Sequence, residues 1–166
     1  MIRIVLADDH AIVRTGFRAL IEQEPDMRIV AECGCAEEAR AQVAETKPDV
    51  LVLDLAMPGG GFSLLSTLAG EAPAVRLLVL SMHDQEPYIS EALRRGAHGY
   101  VTKGSATDDL VDALRALHGG SLYLSSDVGT LRRSDGPLSR LSEREREVFL
   151  LLARGGTPKQ IANELN

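Results

Sequence analysis

Apolar residues are clustered in five short runs along the first hundred or so positions of the chain. The third run contains the sequence VLVL, which has no polar residue among its apolar ones. Unbroken apolar runs of this length are typical of strands that are buried on both faces of a sheet. We therefore predict five strands, at residues 2–7, 28–33, 49–53, 75–80 and 99–101.

Apolar residues with helical spacing occupy the stretches between these strands. After the first strand, Val13, Phe17, Leu20 and Ile21 fall on one face of a helix. Alternating strands and helices favour a parallel sheet that is covered by helices on both faces, and right-handed crossovers leave few ways to wind it. The predicted fold class is α/β, a doubly wound five-stranded parallel sheet with the order 2-1-3-4-5, which places the first and third strands side by side.

The apolar pattern changes beyond residue 120. We assign residues 1–120 to the sheet domain and residues 121–137, which are rich in Ser, Gly and Asp, to a linker. In residues 138–166, a capping box from Ser142 to Glu145 begins one helix, and a glycine pair separates it from a second. Two helices with a tight glycine turn fit the first half of a helix-turn-helix unit. Its third helix, the recognition helix, is expected after the last residue of this sequence.

Charge divides the chain in the same way. Residues 1–120 carry 11 Lys and Arg against 18 Asp and Glu, whereas residues 121–166 carry 7 against 6. Phosphate would be repelled by the first part, so we exclude it as a nucleic-acid surface, and the second part permits DNA contact without establishing it. No apolar run reaches the roughly 20 residues that cross a bilayer, and no signal peptide is visible. We expect a cytoplasmic protein with no membrane partner.

The two cysteines, Cys33 and Cys35, lie at the end of the second predicted strand. We expect them to be reduced, as is usual in the cytoplasm. No cluster of His or Cys follows them at the spacing of metal ligands, so we interpret them as structural residues.

Acidic residues follow two of the predicted strands. Asp8 and Asp9 come directly after the first strand, and Asp54 after the third. Two unit charges about 4 Å apart repel by about 4 kcal/mol at an effective dielectric of 20, so this cluster must bind a cation, raise a pKa or be held apart. Magnesium is the usual cation where carboxylates and a phosphate oxygen meet, and a carboxylate can accept a phosphoryl group. The alternative for Asp54 is a solvated loop residue.

Two further polar residues lie just after predicted strands. Ser81 follows the fourth strand and could donate a hydrogen bond to a phosphoryl oxygen, and Lys103 lies just beyond the fifth and offers a positive charge to the same group. Taken singly, each is more simply explained as a turn or surface residue. Their shared position at strand ends favours one common site.

The motifs around these residues resemble a known family. Residues 1–120 resemble a response-regulator receiver domain with the flavodoxin-like fold, and residues 138–166 resemble the start of a LuxR-type helix-turn-helix domain, as in NarL/FixJ two-component transcription factors. The resemblance rests on LADDH (6–10), VLDLAMP (52–58), SMHD (81–84), GAHGYVTK (96–103) and LSEREREV (141–148).

The resemblance implies a role for each site residue. Asp54 matches the phospho-acceptor, and Asp9 the direct Mg²⁺ ligand, with Asp8 supporting the ion through water. The backbone carbonyl of Ala56 matches a third protein ligand, and Asp54 itself contacts the ion. Lys103 matches the lysine that contacts the phosphoryl group.

Two more positions match the family's switch residues. Ser81 matches the hydroxyl that responds to the phosphoryl group, and Tyr100 the aromatic that turns inward with it. The alternative for Tyr100 is a packed strand aromatic with its hydroxyl at the surface.

The resemblance also implies partners. A sensor histidine kinase would phosphorylate Asp54, the phosphorylated chain would form a homodimer, and a complete C-terminal domain would bind DNA and control transcription. The alternative is a receiver that acts as a protein-interaction module through phosphorylation-dependent dimerisation or partner binding.

An enzyme that turns over a separate substrate is disfavoured because no substrate-pocket motif is visible. Only self-directed phosphoryl transfer and slow autodephosphorylation are expected.

The loop after Asp54 departs from the family pattern. The family usually has a glycine eight residues beyond the phospho-acceptor, whereas this sequence has Phe62 there, preceded by Gly59, Gly60 and Gly61. A loop that is one residue short, with three consecutive glycines, has unusual backbone freedom. The sequence alone therefore leaves open how rigidly the Ala56 carbonyl is presented.

Overall fold

The structure is a computed structural model that describes residues 1–128. Strands and helices alternate over this range. In chain order they are β1 (Ile2–Ala7), α1 (Ala11–Ile21), β2 (Met27–Cys33), α2 (Ala36–Thr46), β3 (Val50–Leu53), α3 (Gly61–Glu71), β4 (Arg76–Ser81), α4 (Glu86–Arg94), β5 (Gly99–Thr102), α5 (Ala106–His118) and β6 (Tyr123–Leu124).

All strands pair in parallel, in the order β2-β1-β3-β4-β5-β6. The predicted fold class and the order of the first five strands are confirmed, and each of these strands begins and ends within one residue of its predicted bounds. The predicted number of five strands was wrong. The sixth, Tyr123–Leu124, lies in the predicted linker and pairs with β5. A strand of two residues has no apolar periodicity of its own, so no sequence pattern could indicate it.

Two apolar cores cover the two faces of the sheet. On one face α1 and α5 pack against alternate strand residues, such as Ile4 and Leu6, and on the other face α2, α3 and α4 pack against Val5 and Ala7. The central strand β3 is fully buried along its length. This double coverage is why its sequence is uninterrupted VLVL, and it leaves the carboxyl edge of the sheet as the place where polar side chains can gather.

The C-terminal predictions lie mostly outside the described residues. The chain divides into two units, Met1–Gly129 and Thr130–Asn166, and the description covers the first. The helix-turn-helix at 138–166 and the boundary at 137 therefore stay predictions. None of the helices within residues 1–128 is long and apolar enough to span a membrane.

Candidate functional site

The sheet places two of the predicted acidic residues next to each other. Ala7 and Leu53 are partners in the β1–β3 ladder, so Asp8 and Asp54 are the first residues beyond two neighbouring strands. The backbone N–H of Asp54 donates to the carbonyl of Ala7 at 2.9 Å. Both carboxylates are almost fully buried, at 1% exposure for Asp8 and 2% for Asp54. Such burial is costly for a charged group unless a partner compensates it.

Lys103 is that partner. Its Nζ lies 2.6 Å from Oδ2 of Asp8 and 2.7 Å from Oδ2 of Asp54, and its backbone N–H donates to the carbonyl of Ser81 at 2.8 Å. Burial by itself lowers the pKa of Lys103, but hydrogen bonds to Asp54 and Asp8 outweigh it and raise the pKa above its usual value. The ammonium group is therefore charged at neutral pH, and its single positive charge offsets part of the negative charge of the two buried carboxylates.

The acidic cluster extends to Asp9 and His10. One ligand atom from each of Asp8, Asp9, His10 and Asp54 can be chosen so that all lie within 4.8 Å of one another. The Nδ1 atom of His10 is 2.8 Å from Oδ1 of Asp9. Sequence reasoning did not single out His10, although its position directly after the two aspartates was a usable signal.

A tight turn holds the second oxygen of Asp54. The backbone N–H of Ala56 donates to Oδ1 of Asp54 at 3.1 Å. Because Oδ2 faces Lys103, the two carboxylate oxygens have different partners and the side chain is fixed in one orientation. Ala56 itself is exposed. The role of its carbonyl as an ion ligand stays a prediction.

The glycines after this turn do not leave the loop free. A Cβ atom on Gly61 would stand 2.6 Å from Cα of Leu55 and 2.8 Å from the carbonyl oxygen of Asp54, so α3 begins in direct backbone contact with the acceptor turn. Gly60, the N-cap of α3, has φ +83, a left-handed conformation that favours glycine. The loop is thus constrained by contact at Gly61, despite its glycine content.

Ser81 and Tyr100 lie on the neighbouring strands. Tyr100 is fully buried, and its hydroxyl donates to the carbonyl of His83 at 2.7 Å. The alternative prediction, a packed strand aromatic whose hydroxyl lies at the surface, was therefore wrong. Burial raises the pKa of the Tyr100 phenol, and a hydrogen bond with Ser81 opposes that rise. The Ser81 hydroxyl accepts from the backbone N–H of His83 at 3.2 Å. Both predicted switch residues therefore contact the segment that follows β4.

The donor set fits a hard divalent cation. Carboxylate oxygens are the ligands that Mg²⁺ prefers, and Asp8, Asp9 and Asp54 supply them around one point. Oδ2 of Asp8 is buried, and its contact among the described residues is the ion pair with Nζ of Lys103 at 2.6 Å. One ammonium group faces the two carboxylates of Asp8 and Asp54, so net negative charge remains in the cluster for a cation. The residues therefore fit magnesium.

A buried acidic pocket at the carboxyl edge of a 2-1-3-4-5 sheet, with a lysine and a hydroxyl on the adjoining strands, defines the receiver class of signalling proteins. The family model described as the response regulator receiver domain matches residues 4–115. This chain belongs to that family, and specifically to the two-component response regulators with a LuxR-type C-terminal region, as the motifs predicted.

Individual relatives agree with this assignment. The chain is 38% identical to the oxygen regulatory protein NreC of Staphylococcus aureus, an alignment that covers 98% of this chain and 82% of that protein. A LuxR-family response regulator from Aurantimonas sp. SI85-9A1 superposes with a TM-score of 0.75 at 40% identity and covers 78% of this chain and 94% of its own. The response regulator RcsB in complex with DNA gives 0.76 at 31% identity, over 99% and 83% of the two chains.

Proposed function

We propose that Asp54 accepts a phosphoryl group from a sensor histidine kinase, with Mg²⁺ bound by the acidic cluster, and that this modification controls transcription. One observation carries the proposal: the buried Asp54 carboxylate is fixed between Lys103 and the Ala56 N–H at the meeting point of the carboxylates. A carboxylate that is buried, oriented and paired with a cationic side chain is suited to act as a nucleophile.

The chemistry assigned to Asp54 is phosphoryl transfer. One carboxylate oxygen forms the new bond to phosphorus, the bond between phosphorus and the donor atom breaks, and the electron pair of that bond leaves with the donor. Lys103 is already within ion-pair distance of the acceptor oxygen and would interact with the charge on the transferred oxygens. Bound magnesium would supply further charge neutralisation at those oxygens.

The switch is a change in charge at the end of β3. A phosphoryl group adds about −1.5 to −2 charges and three acceptor oxygens, by analogy with other phospho-residues. The Ser81 hydroxyl and Lys103 would interact with these oxygens in one loop arrangement. Tyr100 is coupled to this loop change through His83. The Tyr100 hydroxyl donates to the carbonyl of His83, and the backbone N–H of His83 donates to the Ser81 hydroxyl. Phosphorylation then shifts a pre-existing equilibrium between two loop arrangements.

The output we propose is DNA binding by a homodimer. RcsB, which is 32% identical in an alignment that covers 99% of this chain, has been solved as two dimers bound to two parallel DNAs. A LuxR-type C-terminal domain in this chain would act in the same way, with the phosphorylated receiver promoting the dimer. We also propose that the protein is located in the cytoplasm, as expected from the sequence.

The second candidate is an interaction module. The receiver described in residues 1–128 contains the whole acidic site and can respond to phosphorylation by pairing or by binding another protein. The two candidates differ in one measurement: specific DNA binding by the phosphorylated chain favours transcription control, and phosphorylation-dependent dimerisation without DNA binding favours the module.

We also propose that the chain turns over no separate substrate. Position 56 is Ala, whose side chain cannot orient an attacking water, so loss of the phosphoryl group should be slow. A phosphoryl half-life of seconds, or hydrolysis of an added phosphomonoester, would contradict this.

The test is phosphorylation by acetyl phosphate with Mg²⁺, followed by intact mass. Wild-type protein should gain one phosphoryl mass, Asp54→Asn should gain none, and the exposed Asp112→Asn should behave as wild type. Persistence of the phosphoryl adduct in the Asp54→Asn variant would refute the assignment of Asp54 as the acceptor.

A further inference from the structure

The segment that follows α5 is bound closely to the strand that leads to Lys103. The backbone N–H of Ser125 donates to the carbonyl of Tyr100 at 2.9 Å, which extends the pairing of β6 with β5 by one residue. The Ser125 hydroxyl accepts from the backbone N–H of Thr102 at 3.3 Å, and Ser125 is fully buried. Thr102 is the last residue of β5 and directly precedes Lys103.

Asp127 completes this contact through its side chain. Its Oδ2 accepts from the Thr102 hydroxyl at 2.5 Å, and its Oδ1 accepts from the Ser125 hydroxyl at 2.6 Å and from the backbone N–H of Val128 at 2.9 Å. Asp127 is exposed as a residue; partial desolvation of its carboxylate raises the pKa, but hydrogen bonds from Ser125 and Thr102 outweigh this and lower the pKa below its usual range. The carboxylate is therefore ionised at neutral pH, and its hydrogen bonds are charge-assisted.

The residues on either side of Lys103 are held by the same network. The Thr102 hydroxyl accepts from the backbone N–H of Ser105 at 3.2 Å, and this closes the turn that carries Lys103. On the opposite side the backbone N–H of Lys103 donates to Ser81 of β4. The turn is thus clamped between β4 and the segment 123–128. A displacement of Thr102 would move Lys103 relative to the two carboxylates.

We propose that Asp127 is a positioning residue for Lys103, and that it acts through Thr102 on phosphoryl transfer to Asp54. The inference rests on the proposed function, since it concerns the same reaction. Asp127 does not touch the reacting atoms. It lies at the C-terminal end of the described receiver, so hydrogen bonds link the turn of the phosphorylation site to the end of this unit.

A simpler role would be local. Asp127 lies in the helical residues 126–128 and accepts the Val128 N–H, so it could serve only to begin that helix. A local role predicts that its removal alters stability but leaves phosphoryl transfer unchanged. A positioning role predicts that the effect disappears once Lys103 is gone, because residues that act through one another are not additive.

The experiment is a double-mutant cycle on the full chain with acetyl phosphate and Mg²⁺, in which the rate of adduct formation is followed by intact mass. Asp127→Ala and Thr102→Val should each slow phosphorylation by about fivefold, within the usual range for coupling through a contact network. Asp127→Asn, which keeps a hydrogen-bond acceptor, should recover part of the rate. Asp112→Ala removes an exposed carboxylate of α5 and should leave the rate unchanged.

The decisive comparison is in a Lys103→Ala background, where Asp127→Ala should change the remaining rate by less than about twofold. An equal slowing with and without Lys103, or a wild-type rate in Asp127→Ala, would overturn the inference. A wild-type chain that gains no phosphoryl group at all would instead overturn the proposed function. Melting temperatures of each variant show whether the compared proteins are folded.

Discussion

The Nζ atom of Lys103 lies 2.7 Å from Oδ2 of Asp54, and the same ammonium group lies 2.6 Å from Oδ2 of Asp8. One positive charge is therefore shared by two buried carboxylates, which reduces their mutual repulsion but leaves net negative charge at the site. Removing one partner of a buried ion pair is strongly destabilising because a charge is left without compensation. Here two charges would be left, so the site itself makes Lys103 important for stability.

We expect Lys103→Gln to lower the free energy of unfolding by about 3 kcal/mol, because it leaves Asp8 and Asp54 buried and unpaired. Added Mg²⁺ should recover part of this loss, since a ligand that binds the folded state stabilises it and would replace the missing positive charge. The measurement is thermal or urea unfolding with and without Mg²⁺. Lys47→Gln, at an exposed helix end, is the matched control. A Lys103→Gln protein that is as stable as wild type without Mg²⁺ would contradict the expectation.

The close approach at Gly61 gives a second prediction. A methyl group there would overlap the backbone of Leu55, so Gly61→Ala should cost about 1–3 kcal/mol of stability and should disturb the acceptor turn. Gly70 is in the same helix, and a Cβ atom added there would meet nothing within 4 Å, so Gly70→Ala should be neutral or stabilising by up to about 1 kcal/mol. The measurement is the free energy of unfolding of both variants in urea. Equal changes in the free energy of unfolding for Gly61→Ala and Gly70→Ala would contradict the prediction, because they would show that the loop after Asp54 shifts to accommodate the added methyl group.

His98 should make stability dependent on pH. Its Nδ1 accepts from the backbone N–H of Leu77 at 3.1 Å, which requires an unprotonated nitrogen. Burial, helped by the charge of Arg76, lowers the pKa of His98 in the folded state. The unfolded chain therefore binds a proton more readily, and the contribution of His98 to stability is present above its unfolded pKa of about 6.5 and is lost as the pH falls below it.

The check on His98 is urea unfolding between about pH 7.5 and 5.5. Wild type should lose stability over this range, and His98→Asn, which keeps an acceptor but does not titrate, should lose less. His118→Asn alters an exposed histidine and should retain the wild-type dependence. An unchanged pH dependence in His98→Asn would refute the assignment.

The two cysteines should differ in reactivity. Burial raises the pKa of the Cys33 thiol to about 11, whereas Cys35 is partly exposed. Because the thiolate is the reactive form, iodoacetamide at mildly alkaline pH should label the native chain once, at Cys35. Cys35→Ser should abolish labelling of the native protein, and Cys33→Ser should leave it intact. Labelling at Cys33 without denaturant would show that the strand end opens.

The sequence by itself was sufficient for the first five strands of the sheet and for the placement of Asp8, Asp54 and Lys103 at one edge. Unbroken apolar runs specify strands that are buried on both faces, and helical spacing between them specifies crossovers, so order and coverage follow from a few rules of chain winding. Asp8, Asp54 and Lys103 could be found because each directly follows a strand, and parallel strands bring their carboxyl ends to one edge. Local pattern and global topology agree at these positions.

Only the tertiary structure decided the orientation of Tyr100, the contact at Gly61 and the role of the segment after α5. The burial of a phenol, a backbone approach of 2.6 Å and a hydrogen bond between Thr102 and Asp127 depend on residues that are distant in sequence. No periodicity encodes such contacts, because they arise after the elements have packed and leave no repeating pattern in either segment. The sixth strand is the clearest case: two residues pair with β5 because β5 would otherwise be an open edge, and that edge exists only in the folded sheet.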